Sequence, residues 1–311
     1  MSLKAIAKGA ATFVPGVQRF TNRASGGSNM PRYCYSVWLR HLVTMKRAGA
    51  QNIRVLGELG PGDSLGTGIA SRLSGVDQYI GLEVKKYFDV ETNLAMFDAL
   101  VELFRRREPI PGPDEFPGVR PLLDDYDFPS DIIPSNALDA ERLALIRRDL
   151  TRLDDADSTI RYAAPWDDSN VIMRGVADAV ISQAVMEHVG DVPRAYDAIA
   201  KWIRPGGYTS HAIDFRCHKT ANEWNGHWAY GDLLWRVVVG SRRFLINREP
   251  HSVHVESLKR LGFKILQDEC YGSDGGLSRH RLARRFRTMS DQDLQTSNCY
   301  ILAQLTKDGA G

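Results

Sequence analysis

Short runs rich in apolar and β-branched residues alternate with helix-periodic stretches along most of the chain. The runs IRVLG (53–57), YIGLE (79–83), TIRYA (159–163), ADAVIS (177–182), YTSHAID (208–214), FKILQD (263–268) and NCYILAQL (298–305) predict seven strands. Between them apolar side chains recur every three or four residues, as in Phe97, Leu100, Val101 and Phe104, or Tyr196, Ile199, Ala200 and Ile203. Strands joined by such helices predict an α/β fold with a doubly wound, mostly parallel seven-stranded sheet. Ahead of the first strand, Tyr35, Trp38, Leu39, Leu42 and Met45 mark one apolar face of a helix that begins after Pro31.

Three segments interrupt the alternation and read as inserted lid or substrate-binding segments. Residues 108–158 open on EPIPGPDEFPGVRP and continue as a charged helical stretch. Residues 215–250 concentrate Trp224, Trp228, Tyr230, Trp235 and Phe244, and residues 272–293 run from glycines into RHRLARRFR. The chain therefore divides into a basic N-terminal arm and helix over 1–50 and one domain over 51–311 that carries the three insertions.

With 311 residues, 43% hydrophobic and 25% charged, the composition excludes disordered, collagen-like and disulfide-scaffold classes. No apolar run approaches the ~18–20 residues of a membrane span, and Lys8 breaks the N-terminal apolar stretch before it reaches signal-peptide length. Cys34, Cys217, Cys270 and Cys299 show no CxxC spacing, which favours reduced thiols and a cytoplasmic setting.

The net charge of +2 conceals a strong asymmetry. Residues 1–57 hold nine lysines and arginines and no acid, whereas 108–157 hold thirteen acids and five arginines. Either the two regions dock on each other, or the basic arm meets a phosphate-bearing substrate or an anionic membrane, which would place the protein peripherally at an inner membrane face. No nucleic-acid-binding module is visible, so nucleic acid is not an expected partner. The pattern does not define an oligomeric state.

The first strand runs into Glu58-Leu59-Gly60-Pro61-Gly62-Asp63-Ser64, a glycine turn that brings free backbone amides close to a ligand. A dinucleotide fingerprint would need glycine where Leu65 stands, and its pyrophosphate would lie beside Glu58 and Asp63. A Walker motif is absent. S-adenosylmethionine has no phosphate and carries a sulfonium and an ammonium, so acids at the turn suit it. Glu83, closing the second strand, can accept hydrogen bonds from both ribose hydroxyls of an adenosine.

ELGPGDS, GLEV, ADAVISQAVMEHV and the helix leading into RPGGYTSHAID together resemble the class I S-adenosylmethionine-dependent methyltransferases, in order and spacing over residues 53–214. The resemblance implies a Rossmann-like methyltransferase fold that ends in an antiparallel hairpin. It also implies that Glu58, Gly60, Gly62 and Ser64 hold the methionine end and Glu83 the ribose. Ala163 to Trp166, or Asp167, would hold the adenine, while Ser182 and Gln183 face the methionyl group, with S-adenosylhomocysteine as product. HAIDF, WNGHW and FLINREPHS are in turn similar to bacterial methyltransferases associated with cell-surface polysaccharide assembly, which implies a saccharide or other hydroxyl-bearing acceptor.

Oxygen methylation needs a base, and His188, His211, His218 and His227 crowd the region after the fourth strand. His218 ranks first and His188 second, each with Asp214 as the orienting acid. Related ubiquinone-pathway enzymes hold a metal through ExxEH; here Ala184 replaces the first acid and only Glu187 and His188 remain, so no tightly bound metal is expected. Trp224, Trp228, Tyr230 and Trp235, with Asn225, Asn247 and Arg248, read either as an apolar cluster beneath a loop or as a sugar platform. Alternatives are a small-molecule or lipid-head-group methyltransferase, and a non-catalytic binding protein that retains the fold.

Overall fold

The computed structural model describes residues 2–14, 28–87, 89–166, 174–242 and 244–306. The strands are β1 (Val55–Leu59), β2 (Gln78–Leu82), β3 (Ile160–Ala163), β4 (Ala177–Gln183), β5 (Ile203–Asp214), β6 (Phe263–Tyr271) and β7 (Asn298–Leu305), and they form one sheet in the order β3-β2-β1-β4-β5-β7-β6. The five strands from β3 to β5 run parallel, and β7 runs antiparallel to both β5 and β6. This is the expected doubly wound, mostly parallel seven-stranded sheet, ending in an antiparallel hairpin. The strand order reverses between β1 and β4, the position beyond which such sheets bind ligands.

The first strand begins two residues later than its apolar run suggests. The Asp178 carboxylate accepts the amides of Arg54 and Val55, both at 2.8 Å, while the Arg54 carbonyl accepts the amide of Gln78 at 2.8 Å, so the ladder starts there. Glu58 falls inside the strand, next to its last residue.

On one face of the sheet pack α2 (Pro31–Arg47), α3 (Gly66–Leu73), α4 (Val90–Arg105) and α5 (Ala140–Leu150); on the other, α6 (Val192–Trp202) and α8 (His251–Arg260). Asp89 and Asp191 cap α4 and α6 by accepting the amides of Thr92 and Arg194 at 2.7 and 3.0 Å. Proline at the first position of α2 and Lys46 and Arg47 in its last turn suit both its ends.

The α2 helix shows the effect of an insertion on burial. Its sequence has one apolar face, yet every residue from Cys34 to Met45 is buried. The first part of the 108–158 insertion covers its other side, and the buried Arg40 guanidinium donates to the carbonyls of Pro111 and Val119, each at 2.7 Å. Arg32 pairs with Glu108 and Glu115 at 2.8 and 2.7 Å, and Arg47 with Asp124 at 3.5 Å. Part of the basic region thus docks on the acidic one.

The arm itself begins with α1 (Leu3–Ala11), which lies against α7 (Asp232–Val239). A Cβ at Gly9 would sit 2.1 Å from the Val237 carbonyl oxygen, so glycine permits this close crossing. The Ser2 amide donates to the Tyr230 hydroxyl at 2.6 Å and the Ser241 amide to Thr12 Oγ1 at 2.8 Å. A short helix, α9 (Asp291–Gln295), precedes β7. Among the described residues, no helix is long and apolar enough to cross a membrane.

Candidate active site

Beyond Glu58 the chain leaves the sheet through Gly60-Pro61-Gly62, with both glycines in the left-handed region at φ 71° and 77°. A Cβ at Gly60 would lie 2.6 Å from the Val185 side chain, so the turn clears the segment after β4 only as glycine. The Gly60 amide donates to the Leu82 carbonyl at 2.8 Å. The Gly62 amide donates to Glu83 Oε2 at 3.3 Å, and the Val84 amide to Oε1 at 2.8 Å. These bonds fasten the heads of β1 and β2 together and hold the Glu83 carboxylate at the lip of the turn.

Around the turn lies a cavity of about 640 Å³. Glu58, Gly60, Gly62, Glu83, Trp166 and Gln183 all line it, as the sequence suggests. Burial pushes the Glu58 carboxyl up to about 7, against the hydrogen bonds from Tyr79 and Thr67 that favour its charge. Burial also raises Glu83, opposed by the amides of Val84 and Gly62. Carboxyls in this state are poised for a cationic ligand.

Two expected cofactor contacts differ, and a third lies outside the described residues. Ser64 is buried behind the turn, where its hydroxyl donates to the Ser28 carbonyl and its amide to Ser28 Oγ. Ser182 lies inside the sheet, 2.7 Å from His211 Nδ1. Consecutive strand residues face opposite ways, so with Gln183 turned to the cavity Ser182 is turned away. Neither serine lines the cavity. Asp167 lies outside the described residues.

The acid–base candidates assemble beside this cavity. His188 lies in a short 3-10 turn after β4 and forms part of the cavity wall. Its Nδ1 is buried without a hydrogen-bond partner, and burial, reinforced by neighbouring His218, lowers it to about 4, leaving it neutral at pH 7. His218 lines neither cavity described here. Its backbone and that of Lys219 take φ values of 44° and 66°, which folds the chain back so that His218 Nε2 lies 3.2 Å from Asp214 Oδ2. Asp214 is also gripped by Arg216 at 2.7–3.1 Å. Burial opposes its charge, yet bonds from His218 and Arg216 hold it well below the usual carboxylate range. The ranking from sequence, His218 before His188, is therefore the reverse of their distance from the cavity.

His211 and His227 are core residues. His211 contacts the hydroxyls of Ser182 and Thr209, His227 lies 4.6 Å from the Trp228 ring, and burial lowers both to about 3. Glu187 is buried with neither carboxyl oxygen partnered and lines neither cavity, so it and His188 do not face one opening together.

A second cavity of about 310 Å³ adjoins the first and shares Tyr33, Gln183 and Ala184 with it. Phe116, Val119, Ile213 and Cys299 give it apolar walls; Asp214, Arg216 and Asn298 give it polar ones. Asn298 Oδ1 is buried there without a partner.

The aromatic segment proves to be packing and not a platform. Trp228 and Tyr230 are fully buried, and Trp235 nearly so. Trp228 Nε1 donates to the Arg248 carbonyl at 3.0 Å. Asn225 binds the Leu277 backbone, Asn247 the carbonyls of Met186 and Val189, and Arg248 the Tyr230 carbonyl and Asp232, so none of the three is left for a sugar. Phe244 alone of the five aromatics reaches the larger cavity. The RHRLARRFR run is likewise engaged, with Arg279 on Asp291, Arg281 on Glu223, and Arg285 on Asp232 and Glu249.

Sequence reasoning missed Tyr33, Tyr87, Arg194 and Arg242 on the larger cavity's wall. Tyr33 had a usable signal, since it opens the helix that starts at Pro31.

No protein-family model matches the sequence, and no curated protein matches it. Solved structures similar to the chain include an S-adenosylmethionine-dependent methyltransferase from Mesorhizobium loti, 13% identical, covering 84% of this chain and 96% of that one with a TM-score of 0.42. An S-adenosylmethionine-dependent methyltransferase from Methanosarcina mazei is 10% identical, covering 85% and 97% with a TM-score of 0.45. A geranyl diphosphate C-methyltransferase from Streptomyces coelicolor A3(2) is 10% identical, covering 88% and 76% with a TM-score of 0.43. At such distances these likenesses carry no weight beside the strand order and the side chains at the head of the sheet.

Proposed function

We propose that this protein is an S-adenosylmethionine-dependent O-methyltransferase acting on a small hydroxyl-bearing acceptor. One observation carries the reading: Glu58, Asp63 and Glu83 surround a glycine turn at the strand-order reversal, facing a cavity that adjoins a second, smaller one. Three carboxylates around one turn repel a pyrophosphate and attract a sulfonium and an ammonium.

In this reading Glu58 receives the ammonium end, Glu83 accepts from the ribose hydroxyls, and Trp166 flanks the adenine. Gln183, on the wall common to both cavities, borders the path between donor and acceptor. When bound, S-adenosylmethionine supplies an electrophilic methyl group and leaves as neutral S-adenosylhomocysteine. His188, neutral at pH 7 and part of the larger cavity's wall, takes the proton of the acceptor hydroxyl. Asp214 stands behind it and favours the imidazolium that forms, while His218 holds Asp214 in place at 3.2 Å.

A single sugar ring, as in a glycan precursor, is the acceptor to test first. Its apolar face suits the Tyr33–Phe116 pair, whose rings meet edge to face at 5.5 Å, and its hydroxyls suit Asn298 Oδ1. The decisive experiment is calorimetry with S-adenosylhomocysteine, followed by transfer of a labelled methyl group to sugars, nucleotide sugars and simple alcohols. Absence of binding, together with binding of a nicotinamide or flavin nucleotide, would overturn the reading.

A further inference from the structure

We propose a divalent-metal site, of the zinc class, on the outer edge of the sheet, formed by His251, Asp268 and Cys270. One donor atom from each of these residues lies within 4.8 Å of the other two. His251 Nε2 is 2.7 Å from Asp268 Oδ1, and Cys270 Sγ is 4.0 Å from the same oxygen. The site is separate from both cavities, whose walls include none of the three residues.

The geometry follows from the fold. Asp268 and Cys270 are two residues apart on the edge strand β6, so their side chains leave the same face. His251 is the first residue of α8, which packs against that strand. Its ring is 5% exposed on the side-chain surface and meets Phe215 edge to face, while Asp268 and Cys270 remain open to solvent. One ligand is therefore rigid and two can adjust.

Two other roles for such a trio fit less well. An acid–base relay through the imidazole needs the carboxylate on one ring nitrogen and the thiol on the other. Here Asp268 binds Nε2, and the sulfur gathers toward the same carboxylate oxygen. Structural hydrogen bonds tie Asp268 to His251 and Gln292 Nε2 to the sulfur at 3.5 Å, yet they do not require all three donor atoms to meet. Three donors converging on one point are the arrangement of a metal ligand set.

Mixed nitrogen, oxygen and thiolate donors suit zinc, and bond lengths of about 2.0–2.3 Å place tetrahedral ligands about 3.3–3.5 Å apart. The separations of 2.7 and 4.0 Å bracket that value. Three protein ligands leave a fourth position for water. Bound there, an ion would brace α8 against β6, whose Cys270 pairs in register with Cys299 of the smaller cavity's wall.

The test uses cobalt(II) as a spectroscopic stand-in on the full-length, chelator-treated protein. One equivalent is expected to bind, with a thiolate-to-cobalt charge-transfer band in the near ultraviolet and tetrahedral bands in the visible, both lost when zinc is added. Cys270→Ser abolishes the charge-transfer band, and Asp268→Asn weakens binding by about tenfold or more. Thermal melting of each variant without metal, expected to match the parent, verifies folding. Cobalt binding without the charge-transfer band, or equal affinity in Cys270→Ser, overturns the proposal. Neither result depends on whether the chain transfers methyl groups.

Discussion

The imidazole rings of His188 and His218 lie 5.2 Å apart, and only His188 forms part of the cavity wall. A base must reach the acceptor, whereas a residue behind it acts by orientation and charge. His188→Ala should therefore lower kcat by about 10²–10⁴-fold and leave S-adenosylhomocysteine affinity nearly unchanged. His218→Ala should cost about tenfold and alter the pH profile. Single-turnover transfer beside calorimetry checks both; a larger loss in His218→Ala would restore it as the base.

Glu83 ties the glycine turn to β2 and is the acceptor offered to ribose. Removing its carboxylate forfeits charged hydrogen bonds of about 1.5–3 kcal/mol, a loss of about 10–100-fold in cofactor affinity. Glu83→Ala should show that loss by calorimetry while retaining the fold by circular dichroism. Gly60→Val should abolish binding altogether, because the side chain meets Val185 and the backbone is left-handed. Retained affinity in both variants would move the cofactor elsewhere.

All seven strands were legible because the central ones are buried on both faces and read as apolar runs between turn signals. The glycine turn and Glu83 were legible because backbone approach and strand-end position are local properties. What could not be read was which face another segment covers. The single apolar stripe of α2 gave no hint that the insertion would bury Arg40 and His41 as well. Trp228 and Trp235 looked equally suited to a platform and a core, and only the packing of Trp228 on Phe286 and of Trp235 with Tyr230 and α1 separates these. The trio His251, Asp268 and Cys270 has no motif spacing, since a helix start and an edge strand bring it together.

Packing makes its own prediction for Trp228. Its ring is fully buried against Trp224, His227 and Phe286, and its Nε1 is satisfied by a backbone carbonyl. Trp228→Ala should cost about 3–5 kcal/mol of stability through the cavity it leaves. Denaturant unfolding measures this. At a temperature where the variant stays folded, KM for the acceptor should match the parent; a raised KM with intact stability would return this ring to the substrate.

Glu58 offers a pH test with a defined sign. Burial raises its carboxyl to about 7, so below that pH the group is neutral and above it anionic. A cationic ligand binds the anion better, so ligation must release the proton below pH 7. The contribution of Glu58 to affinity should then grow as pH rises from about 6 to 8, by at most tenfold per unit on the acid side. The ligand's own ammonium also titrates, so the informative quantity is the affinity ratio of the parent to Glu58→Gln at each pH. That ratio should climb through pH 7 and level off, and calorimetry of the parent at pH 6 in buffers of different ionisation enthalpy should detect the released proton. A ratio flat from pH 5.5 to 8 would mean that the buried carboxyl does not face the cationic end of the ligand.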